Sequence, residues 1–169
     1  SPKKPIHHFS EGKDEKSEKK LRRRYNEAIA YVDAEFGRLI RALEHNKALQ
    51  NTCFIVTSDH GEIFERGISG HNTPVLYEPL IHIPLIIAYP NQQKREDIYQ
   101  PTSAIDLLPT LLELSGASIP NNMPGISLIP RNGSSLPERD LFVVEAKSNS
   151  SFGPLRKGTF SIIHGNDKL

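Results

Sequence analysis

The hydrophobic positions change period several times along the chain. Between residues 18 and about 49 they recur at steps of three and four: Leu21, Tyr25, Ala28, Ile29, Val32, Phe36, Leu39, Ile40 and Leu43. That stripe predicts an amphipathic helix. Asp33 falls inside it and is either a buried acid with a backbone partner or the polar edge of the stripe. At "NTCFIVTSD" the pattern becomes continuously apolar. Strands buried on both faces look like this, and they are typical of parallel sheets covered by helices. Residues 61–79 read as a long loop, and "IHIPLIIAY", residues 81–89, as the next strand, with Pro84 at its start or on a bulge. "TSAIDLLPTLLELSGA" predicts a helix over about 103–114. Ser103 or Thr102 would cap it, Pro109 would bend or restart it, and Gly116 would end it. Residues 117–140 are rich in Pro, Asn, Ser and Gly and predict loop; "LFVVEA" and "TFSIIHG" predict a small late antiparallel strand pair.

Helix alternating with buried strand predicts an α/β layered architecture. In such sheets, sites form beyond the carboxyl ends of the strands. The apolar run ends at Thr57, so Asp59 and His60 fall in that place. In a continuing strand their side chains would point to opposite faces. Gly61 permits a turn, and the two groups could then converge on one cation or on two neighbouring ones. If they do, their tips should come within about 6 Å, because ligand bonds are roughly 2.0–2.5 Å each. Carboxylate with imidazole suits zinc, manganese or iron; carboxylate with backbone oxygen suits calcium or magnesium. His71, between Gly70 and Asn72, could be a third ligand, a general acid or a contact to a substrate anion. The plainer alternative is a capped strand followed by a surface histidine.

Composition narrows the classes. The chain has 169 residues, 21 basic and 20 acidic, for a net charge of +1, which offers no electrostatic case for nucleic acid. No apolar run approaches the roughly 20 residues that span a bilayer. The opening "SPKKPIHHFSEGKDEKSEKK" is charged and has no apolar core of a signal peptide, so an extracytoplasmic location would need a leader upstream. The single cysteine, Cys53, excludes an internal disulfide and reads as a small buried hydrophobe.

Four blocks follow in the order and spacing of the sulfatase family: "YNEAIAYVDAEFGRLIRALE", "FIVTSDHGE", "GHNTPVLYEPLIHIPLII" and "TSAIDLLPTLLELSGASIPNNMPGISLIP". That family belongs to the alkaline phosphatase superfamily. The chain resembles its C-terminal portion over roughly residues 20–130. The resemblance implies an alkaline-phosphatase-like layered sheet with helices on both faces. It implies that Asp59 is an acidic metal ligand, that His60 is a ligand or an anion contact, and that His71 is a substrate or leaving-group contact. Asp33, Tyr77, Glu78 and Pro84 match architectural positions, and Asp106 a structural hydrogen-bonding residue. His82 stands where the family often has Arg, and Asn72 where it often has Gly.

The family's nucleophile lies in a Cys/Ser-x-Pro-x-Arg motif well before the "SDHG" block, together with an Asp pair that completes the metal site. The residues before Asp59 contain neither. Ser135-Leu136-Pro137-Glu138-Arg139 fits the motif literally but follows the metal block, in a loop, and reads as a decoy. The expected organisation is a polar arm over 1–17, the C-terminal part of a catalytic α/β domain over 18–130, and a small subdomain over 131–169. The expected function is metal-dependent hydrolysis of a sulfate or phosphate ester of a small molecule or glycan, with this chain as a fragment lacking the nucleophile. The ion would be calcium in a sulfatase, and zinc or manganese in a phosphodiesterase or phosphoethanolamine-type transferase of the same superfamily. A non-catalytic interaction module is the rival of another class. An unpaired sheet edge and an uncovered apolar face would invite self-association.

Overall fold

A computed structural model describes residues 14–129, 135–147 and 153–169. Most of the arm expected over 1–17, and the start of the loop holding the decoy motif, lie outside the described residues. The chain divides into two compact units, Ser1–Arg95 and Glu96–Leu169.

The first unit opens with a long helix, α1 (Glu15–His45). It starts earlier than the periodicity predicts because Asp14 caps it: the carboxylate accepts the Ser17 N–H at 2.7 Å. Residues 15–17 are therefore helix, not arm. It also ends before Leu49, at His45; a 3-10 turn, Ala48–Asn51, follows. No residue of α1 is buried, so its apolar stripe is largely open, and Asp33 is exposed at the stripe's edge. One end of the stripe is used: the Tyr25 and Phe64 rings lie 5.3 Å apart, and Arg22 donates to the Phe64 carbonyl at 3.2 Å.

Strand β1 (Phe54–Thr57) pairs with a strand over Leu85–Ala88, in the register Phe54↔Ala88 to Thr57↔Leu85. The pairing is antiparallel, and β1 is only half-buried, against the parallel, doubly covered strand that its apolar run predicts. An apolar run reports a capacity for burial; strand direction is set by the connection. A parallel neighbour needs a crossover to the far end of β1. Here the connection returns the chain to the end where β1 finished.

That connection is not the featureless loop expected over 61–79. It holds a hairpin, β2 (Ile63–Glu65) and β3 (Ile68–Gly70), then one helical turn, α2 (Glu78–Ile81), before the strand Leu85–Ala88, now β4. Arg66 and Gly67 both have positive φ, 58° and 74°, which is the two-residue turn whose twist matches a hairpin. Ile63, Ile68 and Leu80 form the unit's small core, with Val75, Tyr77 and Ile81 packed against it. The core therefore fastens the hairpin to α2. Pro84 lies immediately before β4, where its missing N–H costs no ladder bond.

In the second unit a 3-10 turn, Ala104–Asp106, runs into α3 (Leu107–Leu114). Pro109 sits in the first turn of α3, where a missing N–H is tolerated, just after the 3-10 turn gives way to α-helix. Gly116, at φ 74°, ends it. Asp106 is fully buried. Its carboxylate accepts from the Ser103 N–H at 2.8 Å and the Ile126 N–H at 3.0 Å, and pairs with Arg139. Asp106 is thus the structural hydrogen-bonding residue expected. The late strand pair is present as β5 (Leu141–Glu145) and β6 (Thr159–His164), extended by a short β7 (Asp167–Lys168).

Candidate active site

The site forms where three strand ends meet. Past Thr57 the chain turns, held by the Thr57 hydroxyl on the Pro84 carbonyl at 2.9 Å and the Ser58 hydroxyl on the His60 carbonyl at 2.5 Å. The Gly61 N–H then donates to Leu80 at 2.8 Å. Gly61 is required by that approach, not by a positive φ: a Cβ there would lie 2.0 Å from the Pro79 carbonyl oxygen. Asp59 and His60 consequently converge rather than diverge. His60 Nε2 lies 3.6 Å from Asp59 Oδ2, and Asp59 Oδ1 accepts the His60 backbone N–H at 3.0 Å. The other ring nitrogen, Nδ1, lies 2.9 Å from the Gly61 carbonyl. A carbonyl only accepts, so this contact is a hydrogen bond with the proton on Nδ1, and in the neutral ring Nε2 then holds the lone pair.

His71 directly follows β3, and its ring centroid is 4.1 Å from that of His60. All three residues singled out in the sequence are therefore brought together. Glu62, which the sequence did not single out, joins them: its Oε2 lies 2.9 Å from His71 Nδ1. The hairpin dictates this contact. With Ile63 opposite Gly70 in the ladder, the next positions out are Glu62 and His71. The Arg66-Gly67 turn between two short apolar runs is the sequence signal that sets this register.

One donor atom from each of His60, Glu62 and His71 lies within 4.8 Å of the others, and Asp59 adds a second carboxylate beside His60. Imidazole nitrogen with carboxylate oxygen is a donor set for zinc, manganese or iron; calcium prefers oxygen alone. The residues present thus fit a divalent ion. Cys53, ahead of β1, takes no part: burial pushes its thiol up, away from the reactive thiolate. The decoy motif has no catalytic setting of its own. Ser135 is exposed and on no helix, and Arg139 is engaged with Asp106.

A family model described as Sulfatase matches residues 1–117. Arylsulfatase K of Canis lupus familiaris is 35% identical over 133 residues, 75% of this chain and 25% of that protein. The uncharacterized sulfatase YidJ of Escherichia coli (strain K12) is 34% identical over 130 residues, likewise 75% of this chain and 25% of its own length. The chain thus spans about a quarter of the length of these relatives. Among solved structures, the phosphonate monoester hydrolase SpPMH from Silicibacter pomeroyi superposes with a TM-score of 0.64 at 30% identity, over 78% of this chain and 28% of that one. BT4656, in complex with its substrate D-glucosamine-2-N,6-O-disulfate, superposes with a TM-score of 0.59 at 27% identity, over 80% and 28%.

Proposed function

The chain belongs to the sulfatase family, and from that premise we propose that it supplies the ion-holding part of a site that hydrolyses sulfate esters. Its α/β fold is alkaline-phosphatase-like, as the sequence leads one to expect. The observation that carries the proposal is the convergence of Asp59, His60 and His71 at the end of β1. The family implies a divalent metal cofactor, and Asp59 and His60 are the residues we propose as its ligands. When bound, the ion lowers the pKa of the attacking group and neutralises charge on the ester's anionic oxygens. The chain's own residues hold and orient. The turn at Gly61 aims Asp59 and His60 at one point, and the contact with Glu62 holds the His71 ring beside them. The residues before Asp59 contain no Cys/Ser-x-Pro-x-Arg motif, so in this proposal the nucleophile is not contributed by this chain. A sulfated sugar, the substrate class of BT4656, is the class proposed.

A second reading, hydrolysis of a phosphorus ester, has one observation in its favour: SpPMH, whose name gives phosphonate monoesters, superposes at 30% identity. The test is to express the complete coding sequence that contains these residues and assay a chromogenic aryl sulfate beside a phosphonate monoester. The proposal expects sulfate turnover that Asp59→Ala or His60→Ala abolishes. Turnover of the phosphonate alone supports the second reading, and turnover of either that survives both substitutions refutes the site. The 169 residues by themselves should hydrolyse neither, because a covalent route needs its nucleophile.

A further inference from the structure

We propose that the exposed basic ridge along α1 is a docking surface for a sulfated polysaccharide, holding a stretch of polymer other than the one at the reacting ester. The proposal rests on the reading of a sulfated sugar as the substrate class and extends it from single sugars to polymers.

Helix geometry assembles the ridge. Lys16, Lys20, Arg23, Arg24, Arg38 and Arg41 lie on α1, and all six are exposed. At 3.6 residues per turn each position advances by about 100°, which places these six within one arc of about 100°. The apolar stripe from Leu21 to Leu43 occupies the other side of the helix. Glu27 is the acid on the arc, and Glu35 borders it. Both are engaged, Glu27 with Arg23 at 2.8 Å and Glu35 with Arg38. Lys16, Lys20, Arg24 and Arg41 form no ion pair among the described residues.

The helix gains nothing from this arrangement by itself. Lys16, Lys20 and Arg24 follow one another at four-residue steps, so like charges repel along the row. Lys16 also lies in the first turn, where the helix dipole favours anions. A helix face that serves solubility alone interleaves the two signs. A row of cations about 6 Å apart complements a polymer that carries anions in succession. Tyr31, 68% exposed, lies on the same arc between the two groups of cations and offers a flat face to a sugar ring.

The ridge and the site belong to the same unit. α1 meets β2 through Tyr25 and Arg22, which touch Phe64. Phe64 stands two strand positions from Glu62, about 7 Å along the strand. The ridge is on the side of α1 turned away from that contact, and the helix is about 10–12 Å across, so the path from site to ridge is about 20 Å. A single sugar cannot bridge it. A polymer can, and attachment at two points raises the local concentration of its esters at the site.

The experiment measures binding of a heparin decasaccharide, a heparin disaccharide, a DNA duplex of matched charge and phosphatidylserine vesicles to the 169-residue chain at about 0.15 M salt. Circular dichroism checks that each variant keeps its helix, and glutamine is a good helix former. The decasaccharide should bind at least about 10-fold tighter than the disaccharide or the duplex. Lys16→Gln, Lys20→Gln and Arg24→Gln combined should weaken it about 100-fold, at about 5-fold for each cation facing an anionic surface. Lys94→Gln, Arg95→Gln and Lys157→Gln combined remove the same charge off the ridge and should weaken it less than about 3-fold. In the complete protein the ridge variant should raise KM for the polymer about 10-fold or more and leave turnover of a chromogenic aryl sulfate unchanged. Duplex or vesicles bound as tightly as the decasaccharide would overturn the assignment of a glycan. Decasaccharide binding that survives the ridge substitutions but is lost in His60→Ala places the polymer at the ion site alone; it overturns the ridge and leaves the proposed function standing. Equal weakening by the two charge-removing variants, or no decasaccharide binding, overturns the ridge as well. The binding measurements are read without turnover, so they stand or fall separately from the activity assay.

Discussion

Replacing Gly61 by Ala tests how the site is held. The added Cβ would stand 2.0 Å from the Pro79 carbonyl oxygen, 2.9 Å from the Pro79 carbonyl carbon and 3.2 Å from Leu80 Cα. All three are backbone atoms, so no side chain can rotate away. Carbon–oxygen contact closes at roughly 3.3 Å, so the two segments must part by more than about 1 Å. That movement breaks the 2.8 Å bond from the Gly61 N–H to Leu80. Forced overpacking costs about 1–3 kcal/mol, and the broken bond about 1 kcal/mol more. The sum, about 2–4 kcal/mol, is a large part of what a small unit has to lose. The melting temperature should fall by about 10–20 °C for a unit of this size. Asp59 and His60 ride on the displaced segment, so affinity for a divalent ion should fall too. The proper control is Gly116→Ala, at φ 74° with nothing within 4 Å of the new Cβ. It carries only the backbone penalty, about 1–2 kcal/mol, and should leave divalent-ion binding alone. Urea unfolding and calorimetric titration of both variants with zinc, manganese and calcium decide the matter. A Gly61→Ala loss no larger than that of Gly116→Ala, with divalent-ion affinity intact, would refute the close-approach argument.

Three further outcomes are expected. Asp106→Ala removes a fully buried carboxylate and strands Arg139 and two backbone N–H groups; the loss should be about 3–5 kcal/mol in urea unfolding, and a loss under about 1 kcal/mol would contradict the hub role. His164 has its pKa raised by its hydrogen bond to Asp140 first, then by the charges of Glu138, Asp140 and Asp167. Its folded value exceeds the unfolded one, so the contribution is fully present below the ordinary 6.5 and fades as pH rises through the folded value. An NMR titration placing His164 at or below 6.5 would be the contrary result. The open stripe on α1, with Ile29, Val32 and Leu39 each at least half exposed, should make the chain associate at high concentration. Light scattering should show Val32→Glu reducing that association, and a monomer at every concentration would count against it.

The sequence by itself determined the elements whose signal is local. The three-and-four spacing from Leu21 to Leu43 marked α1, the apolar run marked β1, and Ser103 with Gly116 bracketed α3. Four ordered blocks were enough to identify the family, and the end of the apolar run pointed to Asp59 and His60. What waited for the tertiary structure is non-local. Strands of three residues, such as β2 and β3, are too short to display an alternating pattern, so the hairpin vanished into a presumed loop. With it vanished the register that sets Glu62 against His71. The direction of β1 was equally hidden, because an apolar run has the same composition whichever way its neighbour points. Gly61 carried a turn signal, but its necessity comes from Pro79 and Leu80, eighteen and nineteen positions away. Arg139 ends a motif that the sequence already marks as a decoy, but its pairing with the buried Asp106 is visible only in the fold. Periodicity records which side of a segment faces away from water; it holds no record of which distant segment lies opposite, and the site is made of those pairings.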